Sequence, residues 1–582
     1  MHFPSKKELL VLGLVLFVFM FFQAFKMNGD SAYGYPITEK IMHPSYYPND
    51  DLVVGAASGN FLFYRLLAHF PLFTDNFFLR DFILSIPLTI LLILGWYNIF
   101  FELSNDRKFT IISIFFLLFS DGKLFLHGYP LPFFTLTSIG SVLFLQIFAF
   151  YFYLKDRMSL SFSLLALSSY LHPAAGFSIF GTLGILFAIK SIKEKKYIKL
   201  VKAFALPLLI ILPSIYLVGK KFGMDTDIAS FVDVFYRVRS FSAVFIDDYF
   251  SRTYLYTLGS FSLILYLNFK GKINFNHHQK VINLMIAGFI GSFFWLINSY
   301  FFHYLPFFYT LYIARIFYLI EPLTIFILLY IIHGLLVNEK IIAKVLAALL
   351  VLSMVTMTSF QGFIVLLAVF FFYVFEERIK FNNLFFSNIK INKFNENKLL
   401  KVFIVFAVIA TALIFGYARG NKYLKFYKFI RGENTFNFSF DANKNYALAR
   451  TRPLYSELLD WAKQIHGNMF LLPLDGDDDY DYFRYITKNG SFITTDDLGQ
   501  LGYSPKYFMI GFDRLNYLGV RLEGNEVWDY SGYERLDLNN LKKMGINYAI
   551  FNKYFDGFRR PSQGFLTVFE NDQFLVYLIS PK

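Results

Sequence analysis

From residue 9 to residue 417 the chain alternates long apolar runs with short polar breaks. The runs are Leu9–Phe25, Phe82–Phe101, Phe109–Leu126, Phe133–Leu154, Ser159–Leu171, Ala174–Ile189, Ala203–Val218, Tyr254–Phe269, Val281–Phe301, Tyr309–Leu336, Ile341–Met357, Phe363–Phe375 and Val402–Tyr417. A helix rises 1.5 Å per residue, so about 20 apolar residues cross the hydrocarbon core. Several runs are shorter than that, and Asp121 and Lys123 interrupt the third. The pattern predicts an α-helical polytopic membrane protein of about 13 transmembrane helices.

Ser159–Ile189 reads as a hairpin of two short helices. Basic residues flank it on both sides (Lys155 and Arg157 before, Lys190 onward after), so both ends are expected on one membrane face. Leu171-His172-Pro173 is then the tip, and polar backbone at such a depth must face protein or a wet cavity. Two long polar breaks carry acids. The first loop, 27–81, includes an apolar, aromatic segment, Phe61–Phe73, that suits an interfacial helix. The second, 219–253, mixes both signs of charge.

After Tyr417 the pattern changes, dividing the chain into a transmembrane domain, 1–417, and a polar domain, 418–582. Leu454–Ile465 has the apolar spacing of an amphipathic helix, and Met469–Leu474 reads as a strand. Leu538–Met544 reads as a helix followed by a strand at Asn547–Phe551. Phe565–Phe569 and Phe574–Ile579 flank Glu570-Asn571-Asp572 as a hairpin. This is a small α/β domain of a size that folds alone.

Composition agrees: 56% of the residues are hydrophobic and 21% aromatic. With no cysteine, disulfides and thiolate chemistry are excluded. The net charge of +13 sits in alternate short breaks, so membrane topology and anionic headgroups account for it, and no nucleic-acid motif is present. A cytoplasmic N-terminus puts these basic breaks inside and the C-terminal domain outside a plasma (inner) membrane. The first run, lacking a small-x-small cleavage pattern, is expected to be a retained anchor.

On that topology several polar residues converge on the outer face: Asp30, Asp50 and Asp51 of the first loop, His127 after the third run, His172 at the hairpin tip, His303, and Arg315 one to two turns inside the tenth run. Ionisable groups within a span are costly and mark sites or pathways. Structural roles compete: Asp50 and Asp51 can cap a turn, His172-Pro173 can break the hairpin, and Arg315 can pair with Glu321, although the two are six apart and off one helix face. Asp475, Asp477, Asp479 and Asp481 alternate like the start of a calcium loop, but Tyr480 and Ile486 stand where glycine and glutamate are needed, which favours a solvated loop over a weakly held Mg or Mn ion. No P-loop, dinucleotide fingerprint or nucleophile elbow is present.

Tyr46-Tyr47-Pro48-Asn49-Asp50-Asp51-Leu52-Val53, Leu171-His172-Pro173, Arg315 in a late span, and Trp461 before a strand ending at Pro473 resemble bacterial members of the GT-C type membrane glycosyltransferases. The resemblance covers the whole plan of the chain through short motifs. It implies a GT-C-like fold, a polyprenyl-phosphate sugar donor, and inverting transfer on the extracytoplasmic face to a glycan, lipid or protein acceptor of the cell envelope. It further implies a first-loop acid (Asp30, Asp50 or Asp51) as base. A base takes the acceptor hydroxyl's proton as it attacks the anomeric carbon. The lipid phosphate needs a cation near the headgroups: Arg315 offers a matching fork, and His172 and His127 offer further donors. The competing expectations are a glycolipid or polysaccharide transporter or flippase, which repeated halves would signal, and a non-catalytic envelope-assembly protein.

Overall fold

The computed structural model describes residues 4–22, 29–47, 50, 51, 53, 55, 61–70, 77–119, 138–222, 230, 231, 234, 248–301, 313–355, 359–375, 452–474, 480, 482–494, 497, 504–518, 521–523, 527–529, 538–554 and 565–580. Its membrane region contains α1 (Lys6–Phe22), α2 (Gly29–Met42), α3 (Phe61–Ala68), α4 (Phe77–Ser104), α5 (Arg107–Phe119), α6 (Ser138–Leu154), α7 (Met158–Leu171), α8 (Pro173–Lys193) and α9 (Tyr197–Phe222). It continues through α10 (Asp248–Phe269), α11 (His278–Phe301), α12 (Phe317–Val337), α13 (Ile341–Val355) and α14 (Ser359–Phe375). The described part of each apolar run from Leu9 to Phe375 lies on one of these helices, apart from the start of the tenth, while Val402–Tyr417 lies outside the described residues. Among the described residues four helices are long and apolar enough to cross a membrane: Ile83–Ser104, Pro173–Lys193, Tyr197–Gly219 and Phe317–Val337. The protein is a helical membrane protein with a small sheet domain.

One expectation changes. In the described part of the tenth run, Arg315 is not on the α-helix itself. Ile313–Ile316 forms a 3-10 turn, and α12 starts at Phe317. Arg315 therefore stands on that turn, just ahead of α12.

Basic breaks meet at one end of the bundle. Arg107 reaches Glu8 at 3.4 Å; Glu102 accepts from Lys155 at 2.5 Å and lies 3.0 Å from His277 Nε2. Lys280 pairs with Asp156 at 2.9 Å and donates to the carbonyls of Tyr153 and Leu154, closing the C-terminal turn of α6. The opening segment and the breaks at 105–107, 155–157 and 270–280 thus meet at one end of the helices.

The hairpin is present. His172 has extended backbone, its Nδ1 accepts from the Ala175 amide at 3.2 Å, and Pro173 occupies the first turn of α8. The helices meet most closely at Gly176, where an added Cβ would stand 2.5 Å from both the amide nitrogen and Cα of Ser169. Backbone cannot yield as a side chain does. Gly176→Ala is expected to destabilise by about 1–3 kcal/mol, the usual cost of overpacking, read as a lower unfolding temperature in detergent. Gly181→Ala on the same helix meets nothing within 4 Å. It should be neutral or gain up to about 1 kcal/mol from helix propensity.

The C-terminal domain comprises α15 (Pro453–Ala462), β1 (Met469–Leu471), α16 (Phe483–Thr487), β2 (Gly490–Ser491), α17 (Pro505–Tyr517), β3 (Arg521–Glu523), β4 (Val527–Asp529), α18 (Leu538–Lys543), β5 (Tyr548–Asn552), β6 (Leu566–Glu570) and β7 (Phe574–Leu578). The main sheet has the order β2-β1-β5-β7-β6, with β1 parallel to β2 and β5, and β7 antiparallel to β5 and β6. Side chains alternate across it. Leu471, Ala549 and Leu575 join Phe508, Leu515 and Leu541 on one face; Phe470, Ile550 and Val576 join Tyr455, Leu458 and Phe483 on the other. Both faces are therefore buried. Trp461 packs among the rings of Phe470, Tyr548 and Phe569, a core role.

Candidate functional site: the first loop between the hairpin tip and the C-terminal domain

The first loop is a packed unit. α2 lies against α3, and Ile37, Tyr47, Val53, Phe63, Tyr64 and Leu67 form a small apolar core that Leu171 joins from the hairpin. The loop thus rests on the residue before His172. Lys40 organises its turn by donating to the carbonyls of Pro44 at 2.9 Å, Tyr46 at 2.6 Å and Tyr47 at 3.2 Å.

Beneath this unit the structure brings Arg315 and His172 together. The 3-10 turn carrying Arg315 packs against α8, which His172 caps, and against α11. Both residues are buried. Arg315 Nη1 donates to the Tyr318 hydroxyl at 2.8 Å, and its Cζ lies 5.7 Å from that ring's centroid. A cation at the start of α12 and a capped N-terminus of α8 meet here, and both features favour an anion.

Above the loop lies the C-terminal domain, and the acids make this contact. Asp50 is 1% exposed. Its Oδ2 accepts from Arg484 Nε at 2.8 Å and from the Ser491 amide at 2.9 Å, while Oδ1 accepts from the Val53 amide at 3.2 Å. Arg484 also forks onto Asp497 at 2.7 and 3.0 Å and donates to the Ser491 carbonyl at 3.1 Å. Asp497 in turn accepts from the Thr494 amide at 2.7 Å. The two flanking carboxylates hold the Arg484 guanidinium charged well above its ordinary range despite burial. Asp51 differs: its side chain is 57% exposed and its carboxylate lies 3.3 Å from Arg514, which also donates to the Phe492 carbonyl at 2.8 Å.

A second bridge joins α2 to α16. Glu39 pairs with Lys488 and accepts from the Tyr47 hydroxyl, and the rings of Tyr35 and Tyr485 lie 4.9 Å apart. Tyr35 belongs to the aromatic layer of the C-terminal sheet. From the second loop, Phe231 meets Phe508 edge-on at 5.3 Å. Both acidic loops and the C-terminal domain therefore gather at one end.

Burial raises the Glu39 carboxyl above its usual 4.5, and this outweighs the opposing pull of Lys488. The folded state consequently holds the Glu39 proton more tightly than the unfolded chain does. That contribution is complete below 4.5 and fades as pH rises through the raised value. Glu39→Gln is expected to flatten this stretch of an unfolding-temperature profile recorded upward from about pH 4. An unchanged slope would assign it to another group.

The structure thus separates the expected residues. Arg315 and His172 lie on elements that pack together, and Asp51 is accessible at the junction. Asp50, one of the expected bases, is enclosed by the C-terminal domain with both carboxylate oxygens hydrogen-bonded. Asp30 opens α2, but its side chain, like His127, His303, Asp475, Asp477, Asp479 and Asp481, lies outside the described residues. Among the described residues no three His, Asp or Glu side chains gather to hold a metal ion. Sequence reasoning missed Glu39, Arg484, Lys488, Asp497 and Arg514. Arg484 offered one signal, a lone cation among Tyr480, Tyr482, Phe483 and Tyr485, which implies a buried counter-charge. No protein-family model matches the chain, and no curated protein matches it in sequence.

Proposed function

We propose that the protein is a polytopic plasma-membrane glycosyltransferase of GT-C-like plan, with 13 spans, a cytoplasmic N-terminus and an extracytoplasmic C-terminal domain. It transfers a sugar from a polyprenyl phosphate to a cell-envelope glycan, lipid or protein. The acceptor oxygen attacks the anomeric carbon and its proton passes to a first-loop carboxylate. The bond from that carbon to the phosphate oxygen breaks, and the lipid phosphate departs against Arg315 with His172 beside it. Asp51 fits the base, since its side chain is exposed on the first loop, and Asp30 of the same loop remains the second candidate. The observation that carries the reading is the stack at one end of the bundle: a buried Arg315 on a turn packed against the helix that His172 caps, the acidic loop seated on the hairpin tip through Leu171, and a folded domain covering that loop.

The test is deletion of the gene, analysis of cell-surface glycans, and complementation with Asp30→Asn, Asp51→Asn and Arg315→Ala. A glycan lost on deletion and restored by the natural sequence should stay absent with Arg315→Ala and with at least one Asp variant. Restoration by all three would remove the proposal.

A further inference from the structure

We infer that Asp50 is a positioning residue, through which the C-terminal domain fixes the acidic turn of the first loop. This rests on reading that loop as the acidic side of a sugar-transfer site.

Asp50 and Asp51 are neighbours with opposite fates. Both oxygens of Asp50 are engaged, and its side chain has no exposed surface. An acceptor hydroxyl could reach it only by displacing Arg484. That guanidinium is itself committed on all three nitrogens, with Nε on Asp50, Nη1 on Asp497, and Nη2 on Asp497 and the Ser491 carbonyl. Such a fork fixes direction as well as distance. The Oδ1 contact to the Val53 amide, three residues on, then ties the start of the following turn to the same anchor. Asp51 inherits its position from this frame. It emerges at the surface beside Arg514, which the Phe492 carbonyl and ring hold in place at 2.8 and 4.7 Å. The C-terminal domain is thus one wall of the site, and a change at Arg484 acts on the first loop 434 residues away in sequence.

A Cβ built at Gly490 stands 3.4 Å from Asp50 Cβ, close to the separation of about 3.5–4.5 Å in a disulfide. The nearest other atoms belong to the flexible end of Met469. The full chain contains no cysteine, so Asp50→Cys with Gly490→Cys introduces the only two thiols. This pair replaces the anchor without restoring a carboxylate, and Arg484 keeps its fork on Asp497.

In the deletion strain, Asp50→Ala is expected to lose the surface glycan, and the oxidised cysteine pair to restore it. Reduction should abolish that restoration. A disulfide that forms without restoring the glycan would show that the carboxylate itself is needed and would overturn the proposal. Failure to form the disulfide in a chain that resists proteolysis like the natural protein would overturn the juxtaposition. Hydrogen exchange on the purified full chain separates this from the assignment of activity. Asp50→Ala should speed exchange of the Val53, Ser491 and Phe492 amides together, and unchanged protection would overturn the positioning role. If deletion alters no glycan, the sugar-transfer reading fails and the exchange result still decides the anchor.

Discussion

Arg484→Met is expected to be the most destabilising single substitution at the junction, costing about 3–5 kcal/mol, the range for breaking a buried ion pair. The cost follows from what remains. Asp50 and Asp497 are 1% and 3% exposed, and both lose their cation at once. Two carboxylates would then face each other without water, an arrangement that desolvation and like-charge repulsion both disfavour. Removing the charges together should behave differently. Asp50→Asn and Asp497→Asn combined with Arg484→Met leave a neutral site of similar volume, and buried ion groups replaced as a set are often near neutral in stability. Thermal unfolding of the natural protein, Arg484→Met and the triple variant in one detergent, with proteolysis of the C-terminal domain as a second probe, checks both statements. A triple variant no more stable than Arg484→Met would mean that the network's specific geometry, not its uncompensated charge, carries the stability.

On the sugar-transfer proposal, Arg315→Ala carries the largest expected loss of activity, about 10²–10³-fold, the usual effect of removing one preorganised donor from a developing negative charge. Arg315 lies at a helix start beside a second helix N-terminus, so the fixed dipoles around it favour the same anion. Arg315→Lys keeps the charge but lacks the planar fork, and should recover only part of the rate. Tyr318→Phe removes the hydroxyl that accepts from Nη1 at 2.8 Å and tests whether guanidinium orientation matters apart from charge. The measurement is sugar transfer from a polyprenyl-phosphate donor in membranes carrying each variant at equal abundance. A full rate with Arg315→Ala would remove the phosphate-holding role.

The membrane helices were legible because their period and length are one-dimensional properties, written in runs such as Phe317–Val337. The hairpin at His172 was legible from charge on both flanks, and β6–β7 from a turn sequence between two apolar runs. The start of α12 was misread because hydropathy does not distinguish a 3-10 turn from the helix that continues it. The junction was hidden for another reason. Asp50 and Arg484 are unremarkable apart, and only tertiary contact across most of the chain makes them partners. A polar residue beside Pro48-Asn49 fits a turn, a base or a buried anchor equally well until its neighbours are known. Charge pairs across such distances leave almost no local pattern, whereas the aromatic crowd around Arg484 was a local pattern that could have been read.

Tyr35 lies in the aromatic layer of a sheet whose strands begin at Met469. During synthesis the first loop must therefore wait, its ring uncovered, until nearly the whole polypeptide has left the ribosome. Any truncation that removes the sheet would leave that ring without its cover. Quality-control proteolysis of shortened chains should accordingly begin in the N-terminal loop, far from the cut that caused it.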